Sequence, residues 1–416
     1  MTWHARNAAV TPTLHGLPKV HKDNIPLRPI LCSIGSFTYQ CASRLSKSLS
    51  ELCRHPSTAK DIFEFVKIIT DHELDLNRIM CSFDVKSLFT NIPVDFTVNL
   101  ILNKVFDDKE YKFHGLKRTE LRKMLNWTCK NTVLQFNDNY YTQLDGVEMG
   151  SPIAPLMADV FMNWLVDNVN KIGCAPDMLC RYVDDIFCAF DSKDEMDKFF
   201  YNLNKVHSSV SFSKEVEADG QLTYLDVLLT KNEKGIETTI YRKNTHTGLY
   251  NKWESLSPIQ YTKSVKQSLL HRSYQICSSY QLIHKEFQHI KSCFLSNGYP
   301  DWFIDKQIKI FLNKRYKNTP SKNKQERTTD IRRILLYMPY LGETSVQLEK
   351  ELRNFFRKYL KKLTQLTLIH RTHTIEDYFK YKDKQAHLER CNVAVAACGE
   401  NGREGCEISS PVENIG

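Results

Sequence analysis

Two adjacent carboxylates, Asp184 and Asp185, sit inside Arg181-Tyr182-Val183-Asp184-Asp185-Ile186-Phe187, a short run of β-forming residues. A third, Asp84, lies near the end of another apolar run, Ile79-Met80-Cys81-Ser82-Phe83-Asp84-Val85, 100 residues upstream. Carboxylates at strand ends suit a hard divalent cation. Mg²⁺ takes oxygen ligands, usually one or two carboxylates with phosphate oxygens and water. Two such ions about 3.5–4 Å apart can hold the attacking and leaving oxygens of an in-line phosphoryl transfer. The smallest protein part for that chemistry is one Asp on a strand and one or two on a neighbouring hairpin, which Asp84 and Asp184-Asp185 could supply. Taken alone, an Asp-Asp pair between apolar runs reads more simply as a turn, because Asp tolerates left-handed backbone and hydrogen-bonds its own chain.

The elements that must position these residues follow in a mixed order. Leu14–Lys22 and Ile25–Cys32 hold three prolines, which exclude helix and favour extended strands. Lys19, Lys22 and Arg28 project from this hairpin-like segment, and such side chains grip phosphate as a point charge or bidentately. Residues 36–55 and 56–70 read as helices, with Ile62, Phe63, Phe65, Val66 and Ile69 at helical spacing. The strand carrying Asp84 follows, then helices over 95–107 and 117–129, strand-like residues from Asn131 to Tyr141 around a turn at Asn137-Asp138-Asn139, and the Gly146–Pro152 turn. An apolar helix runs from Ile153 to about Val169. Met178–Phe190 reads as a hairpin straddling Asp184-Asp185, Asp194–Val206 as an amphipathic helix, and Val210–Lys214, Leu222–Leu229 and Gly235–Arg242 as strands. This order predicts an α+β fold, an antiparallel sheet with helices on one face. From about 256 the pattern turns helical, with a strand at Leu335–Tyr340 and a basic helix over Leu348–Leu368. The Gly- and Glu-rich stretch 391–416 reads as disordered. Asp226, inside an apolar strand, reads as a hydrogen-bonded structural carboxylate, Asp145 as a turn residue, and His21 as structural.

The chain has 416 residues, enough for two or three domains, and is 42% hydrophobic and 25% charged. No run of 18 apolar residues predicts a membrane span, and Met1–Arg6 lacks the apolar core of a signal peptide. Thirteen cysteines are scattered without a Cys-x-x-Cys pair, which reads as reduced thiols in an intracellular protein. Cys391, Cys398 and Cys406 are too irregularly spaced for a zinc site. The net charge of +9 is concentrated: residues 301–390 carry 21 Lys/Arg against 11 Asp/Glu. That segment invites a polyanion, although a solvated helical surface would have the same balance.

Ser82-Phe83-Asp84-Val85-Lys86-Ser87-Leu88-Phe89, Gly146-x-x-Met149-Gly150-Ser151-Pro152 and Tyr182-Val183-Asp184-Asp185 resemble, in order, three successive motifs of reverse transcriptases. The Lys19 and Arg28 segments resemble the two finger motifs that precede them. The wording is closest to Penelope-like retroelements, through Leu17-Pro18-Lys19-Val20-His21-Lys22, Leu27-Arg28-Pro29-Ile30, Asp84–Pro93 and Tyr224-Leu225-Asp226-Val227. The resemblance covers roughly residues 14–390.

It implies a right-hand polymerase: fingers over 1–80, an antiparallel palm over 81–235, a helical thumb or helix-turn-helix-like segment over 236–300 contacting duplex backbone, and a basic helical connector over 301–390. It implies an RNA-directed DNA polymerase using an RNA template, a DNA primer, dNTPs and two Mg²⁺ or Mn²⁺ ions. Asp84, with the Val85 carbonyl, and Asp184 would be metal ligands, and Asp185 a nearby catalytic carboxylate. Lys19 and Arg28 would clamp the triphosphate, and Phe89 would exclude a ribose 2′-hydroxyl; Phe89 as a plain core aromatic stays open. Gly150, Ser151 and Pro152 would lie against the incoming base pair, Tyr182 under the primer end, Leu222–Leu229 along the primer, and Lys214 would give a proton to pyrophosphate. Relatives of this kind often continue into a GIY-YIG nuclease. No Gly-Ile-Tyr or Tyr-Ile-Gly occurs here, so the expectation is a polymerase lacking its nuclease. Two alternatives remain: an inactive nucleic-acid-binding relic, and an RNA-dependent RNA polymerase.

Overall fold

The computed structural model describes residues 10–316, apart from 21–23, 73, 108–112, 131, 172–175, 234 and 256, together with 332–339, 343–359 and 364–371. The readings made for His21, Lys22 and the 391–416 tail fall outside these residues. The chain forms two compact units. Among the described residues, one holds those up to 247 with 275–283, and the other holds 248–274 and those from 284 onward.

In the first unit the chain runs β1 (Thr13–Pro18), β2 (Leu27–Cys32), α1 (Tyr39–Ser48), α2 (Ile62–Asp71), β3 (Ile79–Val85), α3 (Leu88–Asn91), α4 (Val94–Val105), α5 (Arg118–Cys129), β4 (Val133–Phe136), β5 (Asn139–Thr142) and α6 (Ala154–Lys171). It continues through β6 (Met178–Tyr182), β7 (Asp185–Phe190), α7 (Lys193–Leu203), β8 (Phe212–Val216), β9 (Gln221–Tyr224), β10 (Val227–Asn232) and β11 (Gly235–Ile240).

The central sheet is antiparallel throughout, in the order β6-β7-β3-β8. Its middle strands, β3 and β7, bury apolar side chains on both faces away from the carboxylate end, so both faces must be covered. Cys81, Phe83, Val85, Ile186, Cys188 and Phe190 pack into a core with α1 and α4–α7. On the other face Met80, Phe187 and Ala189 pack with Phe65, Val66 and Ile69 of α2 and with Leu222, Tyr224, Val227 and Leu229. The expectation of helices on one face is therefore corrected: α2 and a second, three-stranded sheet, β11-β10-β9, cover the other.

Leu222–Leu229, read as one strand, is a hairpin. Leu225 and Asp226 both have positive φ (50° and 61°) and turn β9 into β10. Asp226 is thus a turn residue rather than a strand carboxylate. A third sheet, β2-β1-β4-β5, joins the N-terminal hairpin to strands from the middle of the chain. β1 and β2 pair antiparallel from Thr13↔Cys32 to Pro18↔Leu27.

In the second unit, α8 (Ile259–Ile276, whose last two residues belong to the first unit), α9 (Tyr280–Ser296) and α10 (Asp301–Tyr316) follow one another. α9 ends at Gly298 (φ +82°): Tyr299 N–H donates to Phe294 O (3.1 Å) and Gly298 N–H to Leu295 O (2.9 Å), a Schellman closure. Asn297 ties this end to the 248–253 loop, donating to Gly248 O and accepting from the Tyr250 N–H. Further on, β12 (Arg332–Pro339) and β13 (Thr364–Arg371) pair in parallel across α11 (Glu343–Tyr359). The helix expected over 348–368 stops at Tyr359. Thr364-Gln365-Leu366-Thr367-Leu368-Ile369 instead forms a strand, as its β-branched residues favour.

Candidate active site

β3 and β7 run side by side with Asp84 directly opposite Asp185, and β6 pairs Tyr182 with Asp185. Directly opposed residues share a face, so Asp84, Asp185 and Tyr182 stand on one side of the sheet edge. Asp184 occupies the two-residue turn between β6 and β7. Its partner in that turn, Val183, has φ +52°, a left-handed conformation that a β-branched residue resists and that marks local strain.

Two side chains that the sequence did not single out hold this turn. Arg181 is 1% exposed. Its Nη1 donates to the Val183 carbonyl (2.7 Å) and to Asp159 Oδ1 (3.1 Å), and its Nη2 donates to Asn163 Oδ1 (2.6 Å) and Thr58 Oγ1 (3.0 Å). The guanidinium fork thus clips the strained turn to α6 and to the 57–59 segment, which also pairs with the Arg181 backbone. From the other side, the Tyr224 hydroxyl reaches the carbonyls of Asp185 (3.0 Å) and Cys180 (3.2 Å). Tyr224 is packed between Phe65 and Phe187. An Arg inside an otherwise apolar strand motif is the available sequence signal for the first; only the fold brings Tyr224 under the hairpin.

The carboxylates form an electron-rich edge. Burial, and then the negative charge of Asp84, push the Asp184 carboxyl above its usual range, while its own backbone amide, Arg28 and Lys19 pull it down. Among the described residues no group of three or more His, Cys, Asp or Glu is arranged to hold a metal. A pair of carboxylates, Asp84 and Asp184, is nevertheless what Mg²⁺ asks of a protein when substrate phosphates and water complete its shell. The burial and the Asp84 charge that disfavour the Asp184 anion are what a bound cation would offset, so the residues present fit such an ion.

The charges acting on Asp184 place Lys19 and Arg28 in its electrostatic neighbourhood. Both lie at the far end of the β1–β2 hairpin, where Lys19 N–H donates to Pro26 O. At its other end this hairpin grips the Gly146–Pro152 loop: Leu31 N–H donates to Met149 O (2.9 Å), and Ser33 Oγ donates to Gly150 O (2.9 Å). A Cβ on Gly150 (φ +134°) would fall on the Leu31 carbonyl oxygen, so glycine is required there. The loop also lies on α3. Val147 N–H donates to the Phe89 carbonyl (2.7 Å), and a Cβ on Gly146 would be 2.5 Å from Thr90 O. Phe89 is half-buried, five residues after Asp84, and Asn91 Nδ2 closes the turn between them by donating to Lys86 O and Ser87 O. Ser151 is buried and Pro152 half-buried at the start of α6. Thus Gly150-Ser151-Pro152, Phe89 and the Arg28 strand are brought together by one loop.

Lys214 is not part of this group. In β8 it pairs with Phe83, while Ser213 pairs with Asp84. Lys214 therefore faces α7, where its ammonium binds Asp197 Oδ1 (2.5 Å) and lies over the Phe200 ring. The expected proton donor is on the wrong face by one residue. Asp145 is structural, as read: its Oδ1 accepts from Gly146 N–H (2.8 Å) and from Val94 N–H (3.3 Å) at the start of α4.

Residues 20–216 match the family model for "Reverse transcriptase (RNA-dependent DNA polymerase)", and residues 249–309 match the "Animal helix-turn-helix domain". No curated protein matches the chain. Among solved structures, telomerase from Candida albicans with a TWJ fragment of telomeric RNA superposes with TM-score 0.52 at 11% identity, over 74% of this chain and 60% of that one. Apo telomerase from Candida tropicalis gives 0.48 at 12% identity, over 76% and 60%. A Sicinivirus RNA-dependent RNA polymerase gives 0.44 at 12% identity, over 73% and 68%. The chain spans 53% to 62% of the lengths of such telomerase chains. The fold is polymerase-like, with antiparallel sheets among helices. Among the described residues no helix is long and apolar enough to cross a membrane.

Proposed function

We propose that this chain, which carries a reverse transcriptase domain over residues 20–216, is an RNA-directed DNA polymerase of a Penelope-like retroelement, adding dNTPs to a DNA primer on an RNA template. The observation that carries the reading is the meeting of Asp84 on β3 with Asp184 in the adjoining turn, in the field of Lys19 and Arg28. Asp84 and Asp184, with the Val85 carbonyl, are the groups that would hold Mg²⁺ or Mn²⁺. Two bound ions would supply charge stabilisation for the attacking 3′-oxygen and the leaving pyrophosphate.

The chain's own residues do the rest. Lys19 and Arg28 bind the triphosphate and neutralise charge that grows on the leaving group. Asp185, opposite Asp84, adds negative field beside the metal pair. Phe89, with its carbonyl pinned by Val147, presents a ring where a 2′-hydroxyl would need room, and so favours deoxyribose. Gly150 lets the backbone come close to the base pair. Tyr182, on the face shared with Asp185, supports the primer end. The proton for pyrophosphate comes from water or from a group other than Lys214, which Asp197 holds on the opposite face. The second unit binds nucleic-acid backbone through phosphate contacts that weaken with salt.

The test is extension of a DNA primer on poly(rA) with dTTP and Mg²⁺ or Mn²⁺. Extension by the wild type and none by Asp184→Ala is expected. RNA binding without extension under either metal would favour an inactive relic, and extension with UTP but not dTTP would favour an RNA polymerase.

A further inference from the structure

Helix α10, in the second unit, carries an exposed face. Its buried side is Phe303, Ile304, Gln307 and Phe311. On the opposite side Trp302, Lys306, Lys309, Asn313 and Tyr316 recur at spacings of four, three, four and three, and all five are exposed. At 3.6 residues per turn these positions fall in one narrow stripe along the helix. Two aromatic rings cap its ends, with Trp302 64% and Tyr316 56% exposed, and two lysines and an amide lie between. No carboxylate falls in the stripe. The two acidic residues of α10, Asp301 and Asp305, flank the stripe and are both bound by Lys291 of α9, at 2.8 and 2.7 Å, which offsets part of their repulsion for an anion.

A solvated helix face needs no exposed Trp. Large rings more than half exposed beside lysines are the components of a stacking platform: aromatic faces take unpaired bases, and ammonium groups track the phosphates between them. The span from Trp302 to Tyr316 is about 21 Å, the length of roughly six stacked nucleotides. Duplex gives a protein phosphates and grooves but hides its base faces, so the rings would have nothing to stack on. The positive stripe and the excess of Lys/Arg over residues 301–390 give the charge complementarity.

We infer that the outward stripe of α10 binds single-stranded nucleic acid, stacking bases on Trp302 and Tyr316 and holding phosphates with Lys306 and Lys309. The choice of occupant rests on the nucleic-acid reading of the chain given above.

The experiment uses the full chain and labelled 12-nucleotide oligo(dT) and oligo(rU), with a hairpin duplex of the same stem length, followed by anisotropy across a salt series. The Trp302→Ala/Tyr316→Ala variant should bind both single strands at least ~10-fold more weakly with duplex binding unchanged, and Trp302→Phe/Tyr316→Phe should restore most of the loss. Lys306→Gln/Lys309→Gln should lower the salt slope on single strands by about 1.4. Equal losses on duplex and single strand would overturn the assignment in favour of a duplex surface. No loss on either would overturn it altogether. Primer extension on a pre-annealed duplex, measured in parallel, scores the polymerase reading separately. Absent extension with the single-strand losses intact would sink only that reading.

Discussion

Replacing Arg181 with Lys tests whether the Val183-Asp184 turn is held from below. The guanidinium makes four hydrogen bonds with two nitrogens, to Asp159, Val183, Asn163 and Thr58. A single ammonium on a shorter reach serves one side of that fork, so about two charge-assisted bonds are lost. At roughly 1.5 kcal/mol or more each, the variant should be less stable by about 3 kcal/mol. Arg181→Met, which also strands the Asp159 carboxylate, the buried Asn163 amide and the half-buried Thr58 hydroxyl, should lose about 3–5 kcal/mol. The functional consequence is separate. Without a donor on its carbonyl, Val183 can leave a conformation that stores about 1–3 kcal/mol of strain, and Asp184 moves with it. A displacement near 1 Å at reacting groups is worth about 10²-fold in rate. Urea unfolding gives the first quantity. Primer extension at a temperature where the variant stays folded gives the second, as kcat and KM for dNTP. Arg181→Lys should lose kcat about 10²-fold with KM little changed. A variant as stable as the wild type to within ~0.5 kcal/mol, or a destabilised one with unchanged kcat, refutes the argument that this fork sets the turn.

Gly150→Ala should destabilise by about 3 kcal/mol or more and abolish extension, because its Cβ meets the Leu31 carbonyl. Gly115→Ala, with positive φ but open space around it, should lose only about 1 kcal/mol in the same urea measurement. Tyr224→Phe should lose about 1 kcal/mol and slow extension while leaving the fold intact by circular dichroism. An unchanged rate would mean the Arg181 side alone suffices. Phe89→Ala should admit ribonucleotides, read as the ratio of rNTP to dNTP incorporation. Lys266 gives a pH test. Lys266 is 1% exposed among Phe294, Tyr299 and Phe303, with no hydrogen-bond partner for Nζ among the described residues, and burial lowers it from 10.5 to about 8. The folded pKa lies below the unfolded one, so the unfolded chain holds more protons between those values, and the second unit should gain stability as pH rises from 8 to 10.5. Its urea midpoint, followed by proteolysis of α9 and α10 and compared with Lys266→Met, checks the sign. A falling midpoint would show that the three rings hold the cation better than water does.

The parts of the site that local pattern can encode were legible. Asp84 at a strand end, Asp184 in a turn, and glycines where backbones touch are each visible in a few neighbouring residues. Facing across a sheet is not. Lys214 and Ser213 are indistinguishable without knowing the register of β8, and a period of two makes an error of one residue complete. Leu225-Asp226 looked continuous with its strand because no Gly or Asn marks the turn. Arg181 was seen inside its motif without a role, since its partners Thr58, Asp159 and Asn163 are far from it in sequence. Tyr224 is 39 residues from the carbonyl of Asp185 that it supports. The second sheet face was missed for the same reason: β9–β11 cover it only after the chain has closed.

The hydrogen bonds of Leu31 and Ser33 to the Gly146–Pro152 loop have a mechanical consequence. They clamp one end of the β1–β2 hairpin to the same loop that rests on α3, so that end cannot slide against the strand bearing Asp84. Lys19 and Arg28 sit at the other end. Arg28 is three residues beyond the anchor at Leu31, about 10 Å along the strand. The hairpin is then a short cantilever. Anchored at that root, Lys19 and Arg28 keep their charges within the field of Asp184.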